Sequence, residues 1–153
     1  MLPFFKDYME RLHEQHADIE KSLEGLSQEA LDWTPAPGAN SISVIIVHLT
    51  GAERFWIGDI ARGDPSNRNR AAEFQVKGLE METLVKRLRD AEAYISKALE
   101  SMNLADLEVQ RTSPSNGKVY TIAYALLHTL EHTALHAGHI EITSQLWKNT
   151  GQK

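Results

Sequence analysis

Ser41-Ile42-Ser43-Val44-Ile45-Ile46-Val47-His48-Leu49 is the stretch on which the fold turns. Its run of β-branched residues has the propensity of a buried strand. A strand there would need a partner of similar character, and no other segment offers one. Ser41 is a good helix N-cap, and the apolar period continues through Ile45, Leu49, Ala52, Phe55, Trp56 and Ile60. That is too long for a strand. The segment is read as a helix starting after Ser41, and the chain becomes all-α.

Working outward, Trp33-Thr34-Pro35-Ala36-Pro37-Gly38-Ala39-Asn40 stops any helix on the N-terminal side. Before it, Pro3 to Leu26 places Phe5, Tyr8, Leu12, Ile19, Leu23 and Leu26 at three- and four-residue steps. On the C-terminal side, Arg62-Gly63-Asp64-Pro65-Ser66-Asn67 opens a polar connection to about Gly78. Leu79 to Met102 then repeats the amphipathic pattern with Leu84, Leu88, Ala91, Ile95 and Ala98. A break over 103–118 contains Ser113-Pro114-Ser115-Asn116-Gly117, and Thr121 to Trp147 is an unbroken run of helix formers, roughly 40 Å if helical throughout. Four helices with three connections predict a four-helix bundle. The two longer connections allow a topology other than simple up-down-up-down. At 153 residues the chain, residues 1–153, is read as a single domain.

Composition narrows the function. Hydrophobic residues make up 42% and charged residues 24%, which fits a globular protein and excludes wholesale disorder. A net charge of −5 argues against binding nucleic acid or an anionic membrane surface. No cysteine is present, which removes disulfides, thiolate metal sites, iron–sulfur clusters and cysteine nucleophiles. The longest apolar run is far short of the roughly 20 residues of a membrane helix, and MLPFFKDYMERLHEQ turns charged too soon for a signal peptide. The expectation is a soluble, cytoplasmic protein.

Seven histidines stand out, because His128, His132, His136 and His139 fall in one segment. On a helix His132 and His136 differ by about 40° and sit one turn apart, so both imidazoles can meet one ion. His128 and His139 lie within the same roughly 80° sector. Ala125, Leu135 and Leu146 border it, so the stripe is expected to face the bundle interior. A third ligand should come from a facing helix, and His48, alongside Ile45, Ala52 and Phe55, is the natural candidate. Glu53 lies about 140° round the helix from His48 and should not share the site. His13 and His16 are read as edging a solvated face. The segments that start at Ser41 and at Thr121 also share an echo: Ser41 precedes His48 by seven residues, as Thr121 precedes His128.

Several sharper motifs are absent. Thr133 follows His132, so the general base of HExxH is missing. Only Glu10-Arg11-Leu12-His13 fits the Glu-x-x-His unit of which di-iron bundles need two. There is no GxSxG elbow, Walker A loop or GxGxxG.

His128-Thr129-Leu130-Glu131-His132-Thr133-Ala134-Leu135-His136-Ala137-Gly138-His139-Ile140 resembles the last-helix signature of the DinB/YfiT-like proteins. Asn40-Ser41-Ile42 leading to His48-Leu49, Glu53 and Trp56 is similar too, as is the Trp33-x-Pro-x-Pro-Gly turn. The resemblance spans nearly the whole chain. It implies an up-down-down-up four-helix bundle, a homodimer, and one divalent metal, nickel or zinc, on His48, His132 and His136. His139 departs from the family pattern, where Gln is more usual. Some relatives use a low-molecular-weight thiol such as mycothiol or bacillithiol as cosubstrate.

Three functions follow. The first is a metal-dependent thiol transferase or hydrolase acting on a small-molecule substrate, with His139 or Glu131 orienting ligands or shuttling a proton. The second is a stress-response binding module with a structural metal, its fourth ligand supplied by His139 or His128. The third, haem held between His48 and a histidine of the last helix, has only the histidines to recommend it.

Overall fold

Residues 1–151 are described by a computed structural model. Four long helices dominate: α1 (Pro3–Leu23), α3 (Ile42–Arg54), α5 (Met81–Glu100) and α6 (Ile122–Asn149). Between the first two lies the short α2 (Gln28–Asp32), and between the second and third the single turn α4 (Arg70–Glu73). The Ser41 segment is helical as expected: the Val44 N–H donates to Ser41 Oγ at 3.3 Å, and Ile42, Ile46 and Leu49 are fully buried. Its β-branched side chains are accommodated because α3 is surrounded by packed neighbours on most of its circumference. Past Arg54 the helix continues as a π-helix over Phe55–Arg62, ended by Gly63 in the left-handed region.

The packing fixes the topology. One core cluster joins Phe5, Tyr8 and Leu12 from the start of α1 to Phe55, Ile57 and Ile60 of the π-helix, Ile95 and Leu99 from the end of α5, and Ala125 and Leu126 from the start of α6. A second joins Ile19 and Leu23 from the end of α1 to Ile42, Ile46 and Leu49 of α3, Leu84 and Leu88 from the start of α5, and Ile140 further along α6. So α1 and α6 run parallel, and α3 and α5 run together in the opposite direction. This is the up-down-down-up bundle. Around the ring α1 neighbours α6 and α5, while α3 neighbours α6 and α5. Fully burying each large aliphatic side chain in these clusters contributes about 1.5–3 kcal/mol.

A polar belt separates the two clusters. Glu53 of α3 and His16 of α1 are both buried, and His16 Nε2 donates to Glu53 Oε1 at 2.9 Å. The Thr133 hydroxyl of α6 donates to the same oxygen at 2.7 Å. His16 Nδ1 lies 3.4 Å from Glu92 of α5, whose other oxygen is 2.9 Å from His13 Nδ1. Glu53 therefore stays out of the histidine cluster, as its helical angle requires. His16 is a correction: it belongs to the buried row Leu12–His16–Ile19–Leu23, not to a solvated face. Burial by itself would lower its pKa, but the carboxylates of Glu53 and Glu92 outweigh that and raise it.

Elsewhere the irregular segments hold more structure than their composition suggests. The first helix stops at Leu23 rather than Leu26, because Gly25 turns the chain with φ +74° and Ser27 caps α2. Beyond α5 a 3-10 turn (Leu104–Glu108) leads to an antiparallel hairpin, β1 (Gln110–Thr112) and β2 (Val119–Thr121), pairing Gln110 with Thr121 and Thr112 with Val119. Thr121 ends that hairpin and caps α6, accepting from the Tyr124 N–H at 3.1 Å. The echo between the Ser41 and Thr121 segments is thus a shared capped helix start. Among the described residues no helix is long and apolar enough to cross a membrane.

Candidate metal centre

His48 stands two turns into α3, where that helix packs along α6, and His132 and His136 stand one turn apart on the facing side of α6. One ring nitrogen from each lies within 4.8 Å of the other two, and this is the one His/Cys/Asp/Glu group of such closeness among the described residues. Ring centroids are 5.1 Å apart for His48 with each of the other two and 4.4 Å for His132 with His136. The three predicted residues therefore converge. His48 is buried, while His132 and His136 are partly exposed, so the cluster opens to solvent along α6.

The donor set fits a metal ion. Burial, and then the neighbouring imidazoles His136, His48 and His128 and the more distant Arg68, push His132 down to about 3. Burial, then His48 and His139, push His136 down to about 4. Both rings are neutral at pH 7 and present lone pairs. His132 Nδ1 is buried with no hydrogen-bond partner, an unmet polar capacity costing roughly 1–3 kcal/mol that a bound ion would satisfy.

Behind His48 lies a support that sequence reading missed. Glu73 Oε2 is 2.9 Å from His48 Nδ1, and Arg68 clamps Glu73 from the other side, Nε to Oε1 at 2.5 Å and Nη2 to Oε2 at 2.8 Å. Burial alone would push the Glu73 carboxyl up, but its bonds to Arg68 and then His48 hold it below the usual range. With Nδ1–H donated to Glu73, Nε2 of His48 is the atom left for coordination. Gly51 leaves room for it: a Cβ there would stand 2.4 Å from Glu73 Oε1, so a side chain at this position would displace the Glu73 carboxylate from its present place. Arg68 and Glu73 fall in the connection read only as polar, where the sole local signal is Asn69 capping α4.

Replacing Glu73 by Gln keeps the shape but removes the charge that orients His48 and holds Arg68. Metal affinity is expected to fall about 10–100-fold in a competition titration against a chelating dye. Unchanged affinity would show that His48 needs no such partner.

The remaining histidines of α6 are near the centre but outside it. His139 Nδ1 approaches His136 Nδ1 at 3.4 Å, and the His128 ring lies 5.8 Å from that of His132. His128 instead stacks on Tyr124 and meets Trp56 edge-on at 4.5 Å, and Tyr120 completes this aromatic wall. One expectation fails here. Leu135 and Leu146, taken as marking an interior stripe, are 56% and 44% exposed, because the histidine row turns sideways toward α3 and leaves those leucines on the outside.

A four-helix bundle of unusual topology with three histidines gathered from its second and last long helices is the class of protein that fold and site define. The profile of the DinB superfamily matches residues 11–140, and the chain belongs to that superfamily. Among solved structures it is similar to a conserved protein from Enterococcus faecalis, with TM-score 0.76 and 15% identity over 95% of this chain and 98% of that one. It is similar also to a DinB-like protein from Bacillus cereus, with TM-score 0.73 and 17% identity over 97% and 93%. YfiT from Bacillus subtilis aligns with TM-score 0.76 and 14% identity over 100% and 91%, and is described as a probable metal-dependent hydrolase with an unusual four-helix bundle topology. No curated protein matches the sequence. At these identities the structural likeness establishes the fold.

Proposed function

We propose that His48, His132 and His136 hold one divalent cation, nickel or zinc, and that the protein is a metal-dependent hydrolase or thiol transferase acting on a small electrophile. The observation that carries this reading is the convergence of three ring nitrogens within 4.8 Å with no carboxylate among them. Three neutral imidazoles leave a divalent ion its full positive charge and room for a further ligand. When bound, such an ion supplies Lewis acidity, bringing the pKa of a coordinated water toward about 7 and deprotonating a coordinated thiol.

The chain's own groups supply orientation and access. Glu73 and Arg68 hold the His48 ring in place. Trp56, Tyr120 and Tyr124 wall one side with apolar surface that suits a substrate's carbon skeleton. His139, beside His136, is positioned to take up or release a proton at the rim. The likeness to YfiT supports the hydrolase arm, and the absence of any cysteine in this chain is compatible with an external thiol.

Protein purified without a histidine tag is expected to contain about one metal equivalent by elemental analysis, as a single three-histidine centre requires. Loaded with nickel or zinc, it is then offered activated esters and alkylating electrophiles with and without a low-molecular-weight thiol. Turnover that needs the thiol selects transfer, and turnover without it selects hydrolysis. No turnover together with a saturated four-ligand metal by X-ray absorption would replace both with a structural metal.

A further inference from the structure

Helix α3 has a polar cavity on the flank away from the histidine cluster. His48 meets α6, whereas on the α5 side the 66–69 loop and α4 enclose a cavity of about 360 Å³. Val47 and Gly51 of α3 line it, and Arg87 reaches it from α5. The three-histidine cluster makes no use of this space.

Its walls are rich in donors and poor in acceptors. Arg54, Arg68 and Arg87 line it against a single carboxylate, Glu73. Both oxygens of Glu73 are already engaged, by Arg68 Nε at 2.5 Å, by Arg68 Nη2 at 2.8 Å and by His48. Arg54 is engaged too, its fork on Asp64 at 2.9 and 3.0 Å. Four groups remain without an acceptor among the described residues: Nη1 of Arg68, the guanidinium of Arg87, and the side-chain NH2 groups of Asn67 and Asn69. Ser66 Oγ, on the same wall, is buried with no hydrogen-bond partner.

Guanidinium and amide donors gathered this way suit an oxyanion. A carboxylate offers about four acceptor positions, fewer than this set can fill, whereas a phosphoryl group brings three strong acceptor oxygens and up to two charges. The cavity falls within the roughly 300–1,000 Å³ of small-molecule sites, more than a bare oxyanion needs, and Val47 and Val76 give it an apolar wall. We propose that it binds a small phosphate monoester, the phosphoryl group between Arg68 and Arg87 and a short carbon skeleton against the two valines. Arg68 would then hold the ligand through Nη1 while Nε and Nη2 keep Glu73 behind His48. The ligand lies behind the His48 ring, away from the open side of the cluster, so it is an effector of that centre rather than its substrate. Binding does not depend on whether the cluster takes metal.

Calorimetric titration of the protein as purified, with glycerol phosphate, inorganic phosphate and malate as separate probes, tests this. Glycerol phosphate is expected to saturate at one equivalent and to bind more tightly than the other two. Arg87→Ala should weaken it about 10- to 100-fold, the loss of charge-assisted hydrogen bonds. The melting temperature should stay the same, because Arg87 is exposed and bonds to no described residue. Ala72→Leu, which fills the cavity from a helical position that leucine suits, should abolish binding. Arg89→Ala removes an arginine of α5 that lines a different groove, and should change nothing. Malate or inorganic phosphate binding more tightly than the ester would overturn the assignment of ligand class. No saturable binding, binding indifferent to Arg87→Ala, or equal weakening by Arg89→Ala would overturn the site; indifference to Arg87→Ala together with loss on adding a chelator would place the anion on the metal instead.

Discussion

A His132→Ala protein is expected to fold normally and to purify without its stoichiometric metal. His132 is one of the two members that α6 contributes, with its ring 4.4 Å from that of His136 and 5.1 Å from that of His48. Deleting it leaves two imidazoles on different helices, too few for the three protein ligands that an open site needs. Alanine is the best helix former, so α6 should survive the exchange. The buried Nδ1 that lacks a partner disappears with the side chain, so the metal-free variant loses nothing by that change. Elemental analysis beside a thermal melt checks both halves. His128→Ala and His139→Ala serve as controls and should keep their metal. One full equivalent of metal in the His132→Ala protein would end the assignment of the site.

His16→Ala is expected to damage stability while leaving the metal centre loaded. Glu53 accepts from His16 and Thr133 in a belt that water does not reach. Removing the imidazole strands a buried carboxylate, which costs about 3–5 kcal/mol. For a chain of this length that corresponds to a melting temperature lower by roughly 6–20 °C. Replacing both members, His16→Leu with Glu53→Leu, should recover most of the loss, since a well-packed apolar pair is often as stable as a buried ion pair. A single variant that melts like the wild type would show that the belt contributes little.

The same belt sets a pH dependence. His16 has its pKa raised in the folded state, so folding stabilises its protonated form. That contribution is fully present below the unfolded value of about 6.5 and disappears as pH rises through the higher folded value. Urea midpoints measured upward from about pH 6.5 should therefore fall with pH in the wild type, and the slope should flatten in the double leucine variant.

Much of this molecule was legible before any coordinates. Leu84, Leu88 and Ile95, or Phe5, Tyr8 and Leu12, recur at the helical period, and that period is a property of local backbone geometry alone. The pair His132 and His136 shares a face for the same reason. His16 was legible too, since it completes the row Leu12–His16–Ile19–Leu23; assigning it to a solvated edge gave its polarity more weight than its register. Glu73 was not legible. It reaches His48 across 25 residues of chain, and its carboxylate lies in space that Gly51 leaves open on α3.

By itself the sequence determined that the chain is helical, where its long helices begin, and that two imidazoles lie one turn apart on the last of them. Each follows from the 3.6-residue repeat and from caps that act within a few residues. Only the tertiary structure decided that His48 meets that pair, that Glu73 and Arg68 stand behind it, and that Leu135 and Ile142 are left uncovered. Those outcomes depend on how helices far apart in the chain rotate as their cores pack, and no local periodicity encodes that rotation.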